Sequence, residues 1–178
     1  MTISSGLNCK PAINLKHGRK VKMDRNNPAI RLIMMPKDTN ARGTIFGGVI
    51  LSYIDQAAAV EAHRQSNKNF VTKAMNAVEF VAPVHLGDVV SFYTRILRIG
   101  ETSLTVRVDV EAERAQVEGQ KQLVKVTQAE VVCVAVNQQG RPIPILDEAR
   151  KNRLVGPLRK GKSSKTPPKL RKNQSQKN

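Results

Sequence analysis

At 178 residues the chain has room for one ordinary domain with extensions, and not for two. Its two cysteines, Cys9 and Cys133, stand apart, which excludes a disulfide framework and a thiolate metal site, and no apolar run is long enough to span a bilayer. The net charge of +16 divides unevenly: residues 1–25 carry +5, residues 26–150 carry +1 and residues 151–178 carry +10.

The basic character therefore belongs to two arms around a nearly neutral middle. Residues 160–178 are rich in Lys, Ser, Pro, Gln and Asn, with Leu170 their only large apolar side chain, so they cannot offset their ordering entropy with a core. The reading is a basic, flexible arm at 1–26, a compact domain at 27–150 and a basic, mostly disordered tail at 151–178. Such arms attract anions nonspecifically or simply keep the protein in solution. Met1–Lys10 is polar and lacks the apolar stretch of a secretory signal, so a cytoplasmic location without stable membrane insertion is expected.

Along the middle, Met34-Met35-Pro36 closes a short apolar segment, and Lys37-Asp38-Thr39-Asn40 reads as a turn. From Gly48 to about Arg64 the spacing of Val49, Ile50, Tyr53, Ile54, Ala57, Ala58 and Glu61 predicts a helix. The run Ala57-Ala58-Ala59 would let it lie close to a sheet. Strands are predicted at Val71–Ala82, at Val89–Ile99 after the Gly87-Asp88 turn, and again after Gly100-Glu101. There Leu104, Val106, Val108, Val110 and Ala112 oppose Thr105, Arg107, Asp109, Glu111 and Glu113, the alternation of a sheet with one wet face. Leu123–Val136 is apolar on both sides through Val131–Val134, as in a central or interface strand. One helix followed by long antiparallel strands is an α+β layout.

The chemistry concentrates at residues 43–59. Gly47 and Gly48 open the helix, where uncoordinated N–H groups can receive developing negative charge and a missing Cβ lets a substrate approach the backbone. Asp55 sits within an otherwise apolar helix, and an acid there needs a partner or a task.

Residues Asp38–Gly48 followed by Asp55, together with Phe80–Asp88 and Lys125–Ala129, resemble the hot-dog-fold acyl-CoA thioesterases, both the short-chain bacterial acyl-CoA thioester hydrolases and the cytosolic acyl-CoA hydrolases of animals. The resemblance spans roughly Ile30–Ile145. It implies a long helix wrapped by a curved antiparallel sheet, subunits paired edge to edge with active sites at the dimer interface, and further assembly, often to hexamers. It also implies hydrolysis of acyl-CoA to free acid and coenzyme A with no metal or redox cofactor. Gly47–Gly48, Gly48 preferred, would polarise the thioester carbonyl. Asp55 would act as general base, the preferred role, or as nucleophile; the alternative is an interface Asp paired with an arginine. Thr44 departs from the resemblance, since related sequences commonly place Asp or Asn there. A threonine can position water but cannot serve as an ionised base. This leaves a second reading open, a non-catalytic acyl-CoA-binding or regulatory protein.

Weaker candidates complete the set. His17, His63 and His85 lack metal-ligand spacing, and His85 does not point to the His-based dehydratase chemistry of other hot-dog proteins. Asn40 is a substitute donor for Thr44 or an ordinary turn former, Thr127 is a substrate neighbour or a plain strand residue, and Arg42 with the basic arms would favour the phosphates of coenzyme A.

Overall fold

Ile45 donates its N–H to the Val84 carbonyl at 2.8 Å, and this strand-like bond holds the chain extended up to the turn into the long helix. The structure, a computed structural model, describes residues 25–115 and 120–146. Contacts divide the chain into Met1–Asp147 and Glu148–Asn178, and all the described residues belong to the first unit. The arms expected at 1–26 and 151–178 lie, residues 25 and 26 aside, outside the described residues.

The elements run β1 (Ile30–Ile33), a 3-10 turn at Pro36–Asp38, α1 (Gly47–Gln65), β2 (Asn69–Phe80), β3 (Val89–Ile99), β4 (Ser103–Ala115) and β5 (Lys121–Val136). All strand pairs are antiparallel, in the order β1-β3-β4-β5-β2. The helix packs against β2, β3, β4 and β5. Its buried positions, Ile50, Ile54, Ala57, Ala58, Glu61 and Ala62, follow the three-or-four spacing of one face. Three of the six are alanines, which allows the close approach expected from the sequence. Val49 and Tyr53, assigned to the same face, are only half-buried, because they lie at its margin. Beneath the helix, Val90 and Phe92 of β3, Val106, Val108 and Val110 of β4, and Val126 and Val131 of β5 are fully buried.

The predicted helix and strands differ from the observed ones mainly at their ends. β2 stops at Phe80, two residues short of the expected Ala82, and Val81–Val84 instead returns toward Ile45. The short apolar segment before Pro36 is the edge strand β1, paired with β3 from Ile30↔Phe92 to Ile33↔Val89.

The alternation expected of β4 holds, with its outer face part-covered rather than fully wet. Leu104, Val106, Val108, Val110 and Ala112 are buried as predicted, but opposite them Glu111 is only 9% exposed, and Ser91 and Tyr93 beside it on β3 are 2% and 5%. Long side chains cover this face. Arg25 pairs with Glu111 at 2.9 Å and Arg31 with Glu113 at 2.5 Å, while Arg107 lies across Asp109, Gln128 and Glu130. β5 is an interior strand, with Val131, Cys133 and Ala135 buried toward the helix and Val132 and Val134 half-buried behind.

β2 is the far edge of the sheet. Its ladder to β5 slips twice, between Thr72 and Ala74 and between Asn76 and Glu79. Ala77, inside the second bulge, has φ +53°, a left-handed conformation costly for a residue with a Cβ.

Candidate active site

The start of α1 lacks a side-chain cap. Phe46 is the N-cap residue and makes no capping bond, and among the described residues neither the Gly47 nor the Gly48 N–H has a protein acceptor. Unclaimed donors at a helix start carry the positive end of the macrodipole. A Cβ added at Gly48 would meet open space, whereas at Gly47 it would meet the Phe80 ring at 3.5–3.6 Å. Beside these glycines lies an apolar cleft of about 340 Å³ formed by Ile45, Gly47, Ile50, Phe80 and the run Val81–Val84.

Asp55 sits farther along the helix, facing β2. Thr72 donates its hydroxyl to Asp55 Oδ1 at 2.5 Å, and Oδ2 has no hydrogen-bond partner among the described residues. Among the described residues no arginine pairs with it; the interface ion pair raised as the alternative would need an arginine of another copy. Across the ladder from Thr72 stands Cys133, 1% exposed. Burial first, and then the negative charge of Asp55, push its thiol up to about 11 against a hydrogen bond with Thr72.

Within one subunit, Gly48 and Asp55 are not brought together. Seven residues of helix at about 1.5 Å each separate them by roughly 10 Å along the axis, and Asp55 does not line the cleft beside Gly47.

Sequence reasoning missed two carboxylates that the fold uses structurally. Glu61, on the buried face of α1, accepts from Arg64 at 3.1 Å, Gln65 at 3.1 Å and Thr94 at 3.0 Å. Its position on the apolar stripe marked it as the more buried acid. Asp88, read only as part of a turn, is 2% exposed and gripped by Arg114, with Nε to Oδ1 at 3.0 Å and a second nitrogen to Oδ2 at 2.8 Å. The His85 N–H adds a bond at 2.9 Å. Burial pushes the Asp88 carboxyl up, but Arg114 and His85 together hold it below its ordinary value. Gly87, at φ +83°, makes the turn that presents Asp88 inward.

The polar residues around Thr44 form a closed turn. Asn40 Oδ1 accepts from the N–H of Arg42 at 2.8 Å and of Thr44 at 3.3 Å, and its Nδ2 donates to Thr44 Oγ1 at 2.9 Å. These bonds are those of a turn former, one of the two roles expected of Asn40. The Thr44 hydroxyl is an acceptor there with its own proton left to donate, and its backbone bridges to His85. Arg42 is exposed, His63 stacks edge-on with Phe70 at 5.8 Å, and His17 lies outside the described residues. Among the described residues no three His, Cys, Asp or Glu side chains gather as metal ligands.

Thr127, on β5, is fully buried and donates to the Glu79 carbonyl at 2.7 Å, as a strand residue would. It satisfies an acceptor that the bulge would otherwise orphan. Thr127→Val is expected to cost about 1–3 kcal/mol in urea unfolding, and an unchanged midpoint would contradict this role.

Comparison with known proteins bears on all of this. Residues 42–118 match the model of the Thioesterase superfamily. Over 116 residues the chain is 36% identical to Acyl-CoA thioester hydrolase YciA of Salmonella typhimurium, covering 65% of this chain and 87% of that protein. It is similar to a crystal structure of a hexameric hotdog-fold thioesterase of Campylobacter jejuni, with a TM-score of 0.66 and 40% identity over 70% of this chain and 93% of that one. A hexameric broad-specificity acyl-coenzyme A thioesterase, crystallised as an aspartate-to-alanine mutant, gives 0.65 and 34% over 68% and 88%. Sequence and backbone thus agree on one ancestry for the helix and the sheet around it: the chain belongs to the thioesterase superfamily and has its hot-dog fold.

Proposed function

We propose that this protein hydrolyses acyl-CoA thioesters to a free carboxylic acid and coenzyme A. The observation that carries the reading is the pair of unclaimed N–H groups at Gly47–Gly48 opening onto an apolar cleft. The N–H groups suit a carbonyl oxygen gaining charge and the cleft suits an acyl chain. The similarity to an acyl-CoA thioester hydrolase supports the choice of thioester.

Asp55 is the residue for activating water. Its Oδ1 is oriented by Thr72 and its Oδ2 is free to take a proton. As water oxygen bonds to the carbonyl carbon, charge passes to the oxygen held by Gly47–Gly48. Collapse then breaks the C–S bond and the coenzyme A sulfur leaves as thiolate. The distance along α1 separates Asp55 from the glycines of its own subunit, so the complete site takes Asp55 from one copy and the helix start from another. Two features favour that pairing: β2 leaves a 12-residue edge without a strand beside it, and Phe46, Val71 and Val81 are 50–59% exposed. A dimer formed along this edge would assemble further, as the hexameric relatives do. Arg42 and the basic arms would steer the coenzyme A phosphates.

Thiol release from a panel of short, medium, long and aromatic acyl-CoAs tests the activity. Hydrolysis of at least one member is expected, and tight binding of a nonhydrolysable analogue without turnover would instead favour the acyl-CoA-binding alternative raised by Thr44. Sedimentation equilibrium is expected to give a dimer or larger at micromolar concentration. A folded monomer would rule out the two-subunit site.

A further inference from the structure

Phe80, 45% exposed, is the last residue of the edge strand β2, and hydrogen bonds hold the backbone on both sides of it. On one side the bulge at Ala77 displaces the chain and Thr127 anchors the Glu79 carbonyl at 2.7 Å. On the other side the Val81 N–H donates to the Val126 carbonyl at 2.9 Å. Its ring cannot be displaced by sliding β2, and it is presented against the helix start, with its tip 3.5–3.6 Å from where a Gly47 Cβ would stand. The ring therefore forms one wall of the cleft beside the helix start.

We propose that Phe80 is a specificity-determining residue that restricts the cleft to short acyl groups. This rests on the reading of Gly47–Gly48 as the carbonyl site. If the carbonyl oxygen is fixed at those N–H groups, the first acyl carbons meet the Phe80 ring, and only the space between it and Val81–Val84 remains for the chain. A cleft of about 340 Å³ lies at the small end of ligand pockets, which begin at about 300 Å³. The lining side chains are all apolar, so the group selected is an uncharged, apolar one. The left-handed Ala77 then has a purpose, since strain stored beside a site fixes a side chain that ordinary strand geometry would direct elsewhere.

The experiment compares wild type, Phe80→Ala and Phe80→Leu, each as the full chain, on butanoyl-, octanoyl- and dodecanoyl-CoA, and measures binding of the matching nonhydrolysable thioethers by calorimetry. Wild type should favour the butanoyl compound. F80A should raise the dodecanoyl-to-butanoyl ratio of kcat/KM at least tenfold, with F80L between them, and the thioether affinities should shift in the same order. Parallel chain-length profiles in all three proteins overturn the inference, as does a wild type that already prefers dodecanoyl. A drop in oligomer size in F80A and F80L with an unchanged affinity profile also overturns it, by making Phe80 an interface residue. Thioethers that bind with the predicted order but acyl-CoAs that are never hydrolysed would sink the hydrolase reading and leave the role of Phe80 supported. A wild type that binds no thioether sinks both.

Discussion

Replacing Asp55 by asparagine is expected to lower kcat for acyl-CoA hydrolysis by about 10²–10⁴-fold, the range for a lost general base, with KM little changed. Asparagine keeps the shape and can still meet Thr72, but its amide cannot take a proton from water. Thr72→Val leaves the carboxylate and removes the hydroxyl that orients it through the 2.5 Å bond. Because that bond acts through Asp55, kcat should fall about tenfold while KM holds, and Thr72→Ser should restore it. A fall in KM-controlled binding without a fall in kcat would make Thr72 structural only. Single turnover in labelled water tests the two routes open to Asp55: label found in the Asp55 carboxylate marks a mixed anhydride opened at the aspartyl carbonyl, whereas general-base attack puts the label in the product acid and leaves Asp55 unlabelled.

The second large effect concerns stability. Arg114→Ala leaves the Asp88 carboxylate, 2% exposed, without its guanidinium, and is expected to cost about 3–5 kcal/mol in urea unfolding at neutral pH and fixed protein concentration. The pair also predicts how stability responds to acid. Asp88 is held below its ordinary value of 3.8 in the folded protein, so its stabilising effect is complete above about that pH and fades as pH falls through the lower folded value. Wild type should lose this increment on acidification below the ordinary carboxyl value of 3.8, and Asp88→Asn should lack that part of the slope. A neutral-pH stability unchanged in R114A would show that the clamp is dispensable.

Periodicity alone was enough for the long elements. The helix from Gly48 to about Arg64 and the strand Val89–Ile99 were readable because apolar side chains recur at the spacing that each geometry buries. β1 was not, since the four residues Ile30–Ile33 give too short a pattern to separate a strand from an apolar loop. In the site, Gly47–Gly48 and Asp55 stood out by residue type. Their partners did not, because Thr72 is 17 residues from Asp55 and Arg114 is 26 from Asp88, separations at which only the folded sheet decides who meets whom. The partial cover of the outer sheet face was hidden for a related reason. Alternation tells which side chains leave the core, and nothing about the arginines that lie over them.

The burial of Cys133 has a chemical consequence for the proposed hydrolysis, whose product is itself a thiol. Disulfide exchange requires a thiolate, and a cysteine with a pKa of about 11 holds roughly one part in ten thousand in that form at neutral pH. The carboxylate that would activate water at Asp55 is also one of the charges that keeps this sulfur protonated. Oxidised coenzyme A accumulating around the protein would therefore find, at Cys133, a sulfur too poorly ionised and too enclosed to form a mixed disulfide. Under the proposed reaction, Cys133 would be protected from capping by the oxidised form of the thiol released.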